Sequence, residues 1–382
     1  MKNENIEEKD ARREHHAGHE KHHGEGEARE HRGRRGHHKR WHDGPKREKG
    51  EELLQVRDLC VEYTAGKKVV HAVNGVSFEI RSGESLGLVG ESGCGKSTIA
   101  KAILRILPDH GARIAGGEMW FKGKNLVDLS EAEMEKIRGA EISMIFQDPM
   151  TALNPVKRIL DQVASVIRLH NEGMTKKASE AIAIDMLKTV GINEDRVREY
   201  PHQFSGGMQQ RVEVAIGLSC HPDLLLADEP TTALDVTIQA QVLDLIHDLM
   251  EQRGTTLILI THNLGIVAEM CDHVAVVYGG EIVEYGTKRE VFKNPSHPYT
   301  IGLFGAVPSM ASDGERLKPV EGVMPDPSDL PPGCKFHTRC PYATEVCKDG
   351  TVPVVDLGGT HRCQCHHIEE VRAKREKEAA TV

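Results

Sequence analysis

Two stretches of this chain have the residue types and spacing for chemistry on phosphate groups. The first is Gly90-Glu91-Ser92-Gly93-Cys94-Gly95-Lys96-Ser97-Thr98. Its glycines let successive backbone N–H groups turn inward around an anion, and a helix starting at its end points its positive pole at the same charge. Lys96 would reach the β- and γ-phosphates of a nucleotide, and the Ser97 hydroxyl would ligate Mg²⁺. The second is Leu224-Leu225-Leu226-Ala227-Asp228-Glu229, an apolar run ending in two carboxylates. Asp228 suits the shell of that Mg²⁺, and Glu229 can polarise an attacking water as general base. Alone, one could be a chance glycine-rich turn and the other a solvated strand end. Together they imply a nucleoside-triphosphate hydrolase, without saying which kind.

These residues need elements to hold them. Ser85–Val89 is a short apolar strand that runs into the glycine-rich loop, and Ser97–Leu107 follows with helical periodicity. That order opens a parallel α/β unit. Upstream, Leu53–Tyr63 and Val69–Ile80 read as strands of an antiparallel layer, joined by a turn at Ala65–Lys68. Ile159–Leu169, Lys176–Val190 and Gly207–Ser219 predict a helical subdomain over about 157–220. Buried strands follow at Leu224–Ala227, Thr256–Ile260 and Val274–Tyr278, alternating with helices near Val236–Glu251 and Leu264–Met270. From about Lys288 the chain turns rich in proline and cysteine, marking a C-terminal extension.

The whole chain has 382 residues, 38% hydrophobic and 28% charged, which suits a globule with a substantial core. Its apolar runs are strand-length, too short for a bilayer span of roughly 20 residues. The charged N-terminus has no apolar segment of a secretory signal, so a cytosolic protein is expected. Nine cysteines there are thiols or metal ligands rather than bridges. Residues 1–50 carry 14 Lys/Arg, 11 Asp/Glu and nine histidines with few aliphatics, and read as a disordered tail. The remainder carries a net charge of −12, which argues against wrapping nucleic acid.

Phe204-Ser205-Gly206-Gly207-Met208-Gln209-Gln210-Arg211 identifies the kind of hydrolase. As bare sequence it is a helix start with Ser205 as the cap. It resembles the signature of ABC ATPases, with Phe in first place and Met in fifth. The resemblance extends over residues 51 to about 290 and implies an ABC cassette: a parallel core sheet, an antiparallel β layer and an inserted helical subdomain. It implies that Tyr63 stacks on the adenine of ATP and that Gln147 senses Mg²⁺ and the membrane partner. Asp235 belongs to the same pattern, and His262 would contact the γ-phosphate. Ser205, Gly206 and Gly207 would face the nucleotide of a second ATPase subunit.

Phe146–Pro155, Thr231–Gln241 and His297-Pro298-Tyr299-Thr300 look like the dipeptide/oligopeptide/nickel importer ATPases, closer to their D-type subunit than to the F-type. That likeness implies an F-type partner, two permease subunits, an extracytoplasmic solute-binding protein and a place on the cytoplasmic face of the membrane. Residues 291–382 resemble the family's cysteine-bearing tail, in which some members hold a [4Fe–4S] cluster. By position Cys334, Cys340, Cys347 and Cys365 would be the ligands, with Cys363 an extra thiol. Zn²⁺ is the rival occupant, though structural zinc sites more often pair cysteines two to four residues apart. The histidine-rich tail could chelate Ni²⁺ loosely, which keeps nickel import as an alternative to peptide import. A soluble ABC ATPase acting on DNA or ribosomes, or a metal-sensing regulator, fits less well, since the cassette is single and acidic and keeps Lys96, Asp228 and Glu229.

Overall fold

The computed structural model describes residues 50–231, 236–306 and 320–379. The His-rich tail expected to be disordered, up to residue 49, and Asp235 lie outside the described residues.

β1 (Glu52–Ala65) and β2 (Lys68–Arg81) form the expected antiparallel pair. Leu54 and Val56 face the core, and so do Leu59 and Val61. That change of parity is possible because the register shifts between Val56 and Leu59, where the extra residue turns the strand over. β3 (Ser85–Val89) leads into the glycine-rich loop and α1 (Lys96–Ile103). The helix stops short of the expected Leu107 because Arg105 takes a left-handed conformation, φ 51°. β4 (Ala112–Phe121) and β5 (Lys124–Asn125) complete a four-stranded sheet in the order β2-β1-β4-β5.

After α2 (Glu131–Ile137) come β6 (Ile142–Ile145) and the helices α3 (Pro149–Ala152), α4 (Ile159–Leu169), α5 (Lys176–Thr189) and α6 (Gly206–Leu218). The chain then alternates strand and helix: β7 (Leu224–Asp228), α7 (Val236–Arg253), β8 (Thr256–Ile260), α8 (Leu264–Met270), β9 (His273–Tyr278), β10 (Glu281–Thr287). Strands β9-β3-β8-β7-β6 are mutually parallel. Their near-continuous apolar composition follows from burial on both faces. Leu86, Leu88, Leu224, Leu226, Ile258 and Ile260 point toward the antiparallel sheet and α1. Val89, Leu225, Ala227, Leu257 and Leu259 point toward the helices α4 to α8. Period-two side-chain alternation thus builds two cores on one sheet.

The C-terminal ends of β3, β6, β7 and β8 therefore emerge at one edge, the edge where open parallel sheets hold ligands. β3 delivers Gly90–Thr98, β6 Gln147, β7 Asp228 and Glu229, and β8 His262.

α9 (Lys288–Lys293) and α10 (Pro298–Gly305) precede β11 (Val354–Asp356), β12 (Arg362–Gln364) and α11 (Ile368–Ala379). β12 pairs with β10 and β11 with β12, both antiparallel, so the extension adds two strands to the main sheet. Phe336 and Tyr299 are buried in the cassette's own core, with Cys334 and Cys340 packed against it. The extension is thus packed into the cassette's core and sheet rather than standing apart from them. No helix among the described residues is long and apolar enough to cross a membrane.

Candidate nucleotide site

The glycines of the loop are dictated by space as well as by φ. Gly90 has φ 151°, and a Cβ there would lie 2.2 Å from the Val277 carbonyl oxygen. Gly95 has φ 107°, and a Cβ would lie 2.4 Å from the Ala72 carbonyl oxygen. Only glycine fits either position. Gly95 caps α1, so the helix's first N–H groups open into the loop. Lys96 Nζ donates to the carbonyls of Gly90 and Glu91, 2.9 Å each, and lies 3.6 Å from Cys94 Sγ. Burial pushes the Cys94 thiol up, so beside Lys96 it is a neutral packing group. The Tyr63 hydroxyl sits 3.4 Å from that of Thr98, which places its ring beside the start of α1. Glu91 and Ser92 lie on the partly open rim with Gly93.

At the metal end, Ser97 Oγ donates to Asp228 Oδ1 at 2.8 Å. Burial raises the Asp228 carboxyl, while the Ser97 hydrogen bond and then Lys101 and Lys96 oppose it. A hydroxyl and a carboxylate in contact are the hard oxygen donors Mg²⁺ takes. Glu229, the next residue, sits at φ 48° and donates its N–H to the Ile260 carbonyl at 2.8 Å. This left-handed turn swings its side chain away from that of Asp228. Glu229 Oε2 accepts from Gln147 Nε2 at 3.0 Å, and Oε1 lies 3.3 Å from His262 Nδ1. Consecutive carboxylates thus serve two places, one at Ser97 and one between Gln147 and His262.

Ser205 occupies the N-cap position of α6, but its side chain makes no capping hydrogen bond. Ser205 is thus the expected cap by position, without a hydroxyl bond into its own helix. Ser205 is exposed, and nothing lies within 4 Å of where a Gly206 Cβ would stand. The two variant residues of the motif share one neighbour: the Arg196 guanidinium lies 4.7 Å over the Phe204 ring and 3.2 Å from Met208 Sδ. Deeper in α6, Glu213 accepts the N–H of Phe146, the residue before Gln147. Burial pushes Glu213 up to about 7.

The four expected cysteines lie in one neighbourhood of the extension. The Cys334 amide donates to the Cys347 carbonyl at 3.0 Å. The N–H groups of Tyr342 and His367 point at the sulfurs of Cys340 and Cys365, each 3.4 Å away. Burial pushes Cys334 up to about 11 and Cys340 up to about 12, with the neighbouring thiols Cys347 and Cys365 adding to both shifts. A four-thiol set with N–H groups aimed at sulfur fits a thiolate-bound metal centre in its donor chemistry. Among the described residues, however, no three His, Cys, Asp or Glu side chains stand close enough together to hold a metal ion as placed.

Two sets of contacts, around Glu91 and around Glu284, escape a reading of the sequence. Arg339 bonds both carboxylate oxygens of Glu91, at 3.0 and 3.1 Å, and the Tyr299 hydroxyl accepts the Glu91 N–H at 2.9 Å. Glu284, fully buried, accepts from His361 Nε2 at 2.8 Å and from the N–H groups of Ser296 and His297. Only the His297-Pro298-Tyr299 motif carries any sequence signal for these contacts.

Known proteins agree with this arrangement. The ABC transporter family description matches residues 73–232, and that of the oligopeptide/dipeptide transporter C-terminal region matches 283–347. The dipeptide transport ATP-binding protein DppD of Bacillus subtilis is 48% identical over 83% of this chain and 94% of its own. The oligopeptide transport ATP-binding protein OppD of Escherichia coli is 47% identical over 78% of this chain and 89% of its own. Among solved structures, the dimeric post-hydrolysis state of the ATP-binding cassette MJ0796, bound to ADP and phosphate, superposes with a TM-score of 0.57. It is 28% identical and covers 62% of this chain and 99% of its own. With the phosphate loop, the Ser97–Asp228 pair and the Glu229 cluster at one sheet edge, and a matching C-terminal region beyond it, the chain belongs to the ATP-hydrolysing subunits of ABC transporters, in the oligopeptide/dipeptide transporter family.

Proposed function

We propose that this chain powers the import of di- and oligopeptides, by ATP-driven closure and hydrolysis-driven opening of a dimer of cassettes. The observation that carries the reading is the convergence of Gln147 and His262 on the two oxygens of Glu229, next to the Ser97–Asp228 pair. In this reading Lys96 and the loop N–H groups hold the β- and γ-phosphates, Tyr63 stacks on adenine, and Ser97, Asp228 and Gln147 surround Mg²⁺. Glu229 takes the proton of the attacking water, with His262 fixing its carboxylate and the γ-phosphate. The exposed Ser205 and Gly206 support a site completed by a second subunit, since the Ser205 hydroxyl makes no capping bond in its own helix. The dimeric state of the cassette MJ0796 supports the same assembly. An F-type ATPase is the proposed partner, and two permeases would seat near the exposed Met150 and Val156, just beyond Gln147. This places the chain on the cytoplasmic face of the membrane, serving a separate solute-binding protein.

Peptides are favoured over nickel because the similar ATPases carry dipeptide or oligopeptide transport in their names. Cys334, Cys340, Cys347 and Cys365 would hold a [4Fe–4S] cluster, which supplies cross-links and a redox-active centre when bound. Uptake of labelled dipeptide into proteoliposomes containing this chain, its partner ATPase, both permeases and the binding protein should require ATP. Uptake of Ni²⁺ but not of peptide by the same vesicles would overturn the peptide reading.

A further inference from the structure

We infer that Arg339, in the cysteine-bearing extension, is a positioning residue for the phosphate loop, acting through Glu91. The guanidinium has five N–H donors, and five acceptors take them. Nε donates to the Glu321 carbonyl at 2.8 Å, Nη1 to Glu91 Oε2 at 3.0 Å and to the Tyr278 hydroxyl at 3.3 Å. Nη2 donates to Glu91 Oε1 and to the Val320 carbonyl, 3.1 Å each. Its charge also lies 5.8 Å from the Phe336 ring centre, and the side chain is only 5% exposed. An arginine fixed at all five donors is a rigid post, and its two-pronged contact with Glu91 sets orientation as well as distance.

Glu91 is the second residue of the loop, and each of its polar groups is engaged. Its N–H goes to Tyr299, its carboxylate to Arg339 and its carbonyl to Lys96 Nζ. Two of these three anchors come from beyond residue 297, outside the cassette the motifs define. The Met324 methyl of the extension lies beside the same loop, 3.4 Å from where a Gly93 Cβ would stand. The loop's grip on phosphate depends on the direction of its N–H groups and on the reach of Lys96. Both pass through the Glu91 peptide. Freed from Arg339, the half-open Glu91 side chain would turn to water, and its peptide would lose the constraint that aims the loop. Ground-state affinity for ATP would fall, while the chemistry at Glu229, on another strand, would be spared at saturating nucleotide.

This inference rests on the reading of Gly90–Thr98 as the ATP loop, and the test separates the two. The full-length chain is titrated with a fluorescent ATP analogue in five forms: parent, Arg339→Gln, Arg339→Lys, Glu91→Gln and the double variant, each checked by circular dichroism. Either single change should weaken binding about tenfold, the scale of a charged hydrogen-bonded pair, and the double variant should be no weaker than the singles. Arg339→Lys, which keeps charge but not the fork, should fall between parent and Arg339→Gln. In the assembled transporter Arg339→Gln should show a raised KM for ATP with kcat within about twofold of the parent. If Arg339→Gln does not fold, Glu91→Gln alone carries the test. Unchanged affinity in a folded single variant, or additive losses in the double, would overturn the positioning role. A parent chain that binds no ATP would instead overturn the loop assignment.

Discussion

The side-chain amide of Gln147 donates to Oε2 of Glu229 at 3.0 Å, joining the ends of the neighbouring strands β6 and β7. His262, after β8, approaches the other oxygen, so three strand ends meet on one carboxylate. A carboxylate held at both oxygens has a fixed direction, as a general base must. Glu229→Gln keeps the shape and removes the basicity. The variant should bind ATP as the parent does, trap the closed dimer and lose roughly 10²–10⁴-fold in turnover. Near-normal ATP hydrolysis by the assembled variant would remove Glu229 from the role of base.

Much of this arrangement is legible in the sequence because its signals are local. β3, β7 and β8 carry short apolar runs flanked by polar or glycine residues, and the loop motif names its own neighbours. The Arg339–Glu91 bridge spans 248 positions and involves one side chain from each end, so no periodicity announces it. β11 and β12 have three residues each, too few to display alternation, and they find their place only by pairing with β10. The reversal of side-chain direction between Asp228 and Glu229 depends on one backbone angle that an acidic pair does not reveal.

Glu213 gives the chain a pH dependence with a definite sign. Burial raises its carboxyl from 4.5 to about 7, against the hydrogen bonds from Phe146 N–H and Gln210, and the charge of Asp148 adds to the rise. The folded chain therefore binds this proton more tightly than the unfolded chain. The stability that follows is complete below 4.5 and is lost as pH rises through about 7. Glu213→Gln keeps an oxygen for Phe146 N–H and carries no charge at any pH. It should unfold in urea at higher concentration than the parent at pH 8, by about 1–3 kcal/mol, with the gap closing toward pH 5. Parallel stability curves for the two proteins would show that the buried carboxylate is not the titrating group.

The cysteines of the extension allow a prediction about which thiol is dispensable. Cys340 and Cys365 each receive a backbone N–H on sulfur, the contact that favours a thiolate, and Cys334 and Cys347 are tied by a backbone hydrogen bond. Cys363 differs. It lies in β12 opposite the buried Glu284, and burial first, then the Glu284 charge, push its thiol far above the usual range. Its place in the β10–β12 ladder sets it apart from the other four, none of which lies in a strand. If these four cysteines hold a [4Fe–4S] cluster as proposed, protein purified without oxygen should be brown, with about four iron atoms per chain. Cys365→Ser should bleach it, and Cys363→Ser should leave colour and iron content unchanged. Colourless anaerobic protein with stoichiometric zinc would make the site a zinc centre, and loss of iron from Cys363→Ser would move the fourth ligand from Cys365 to Cys363.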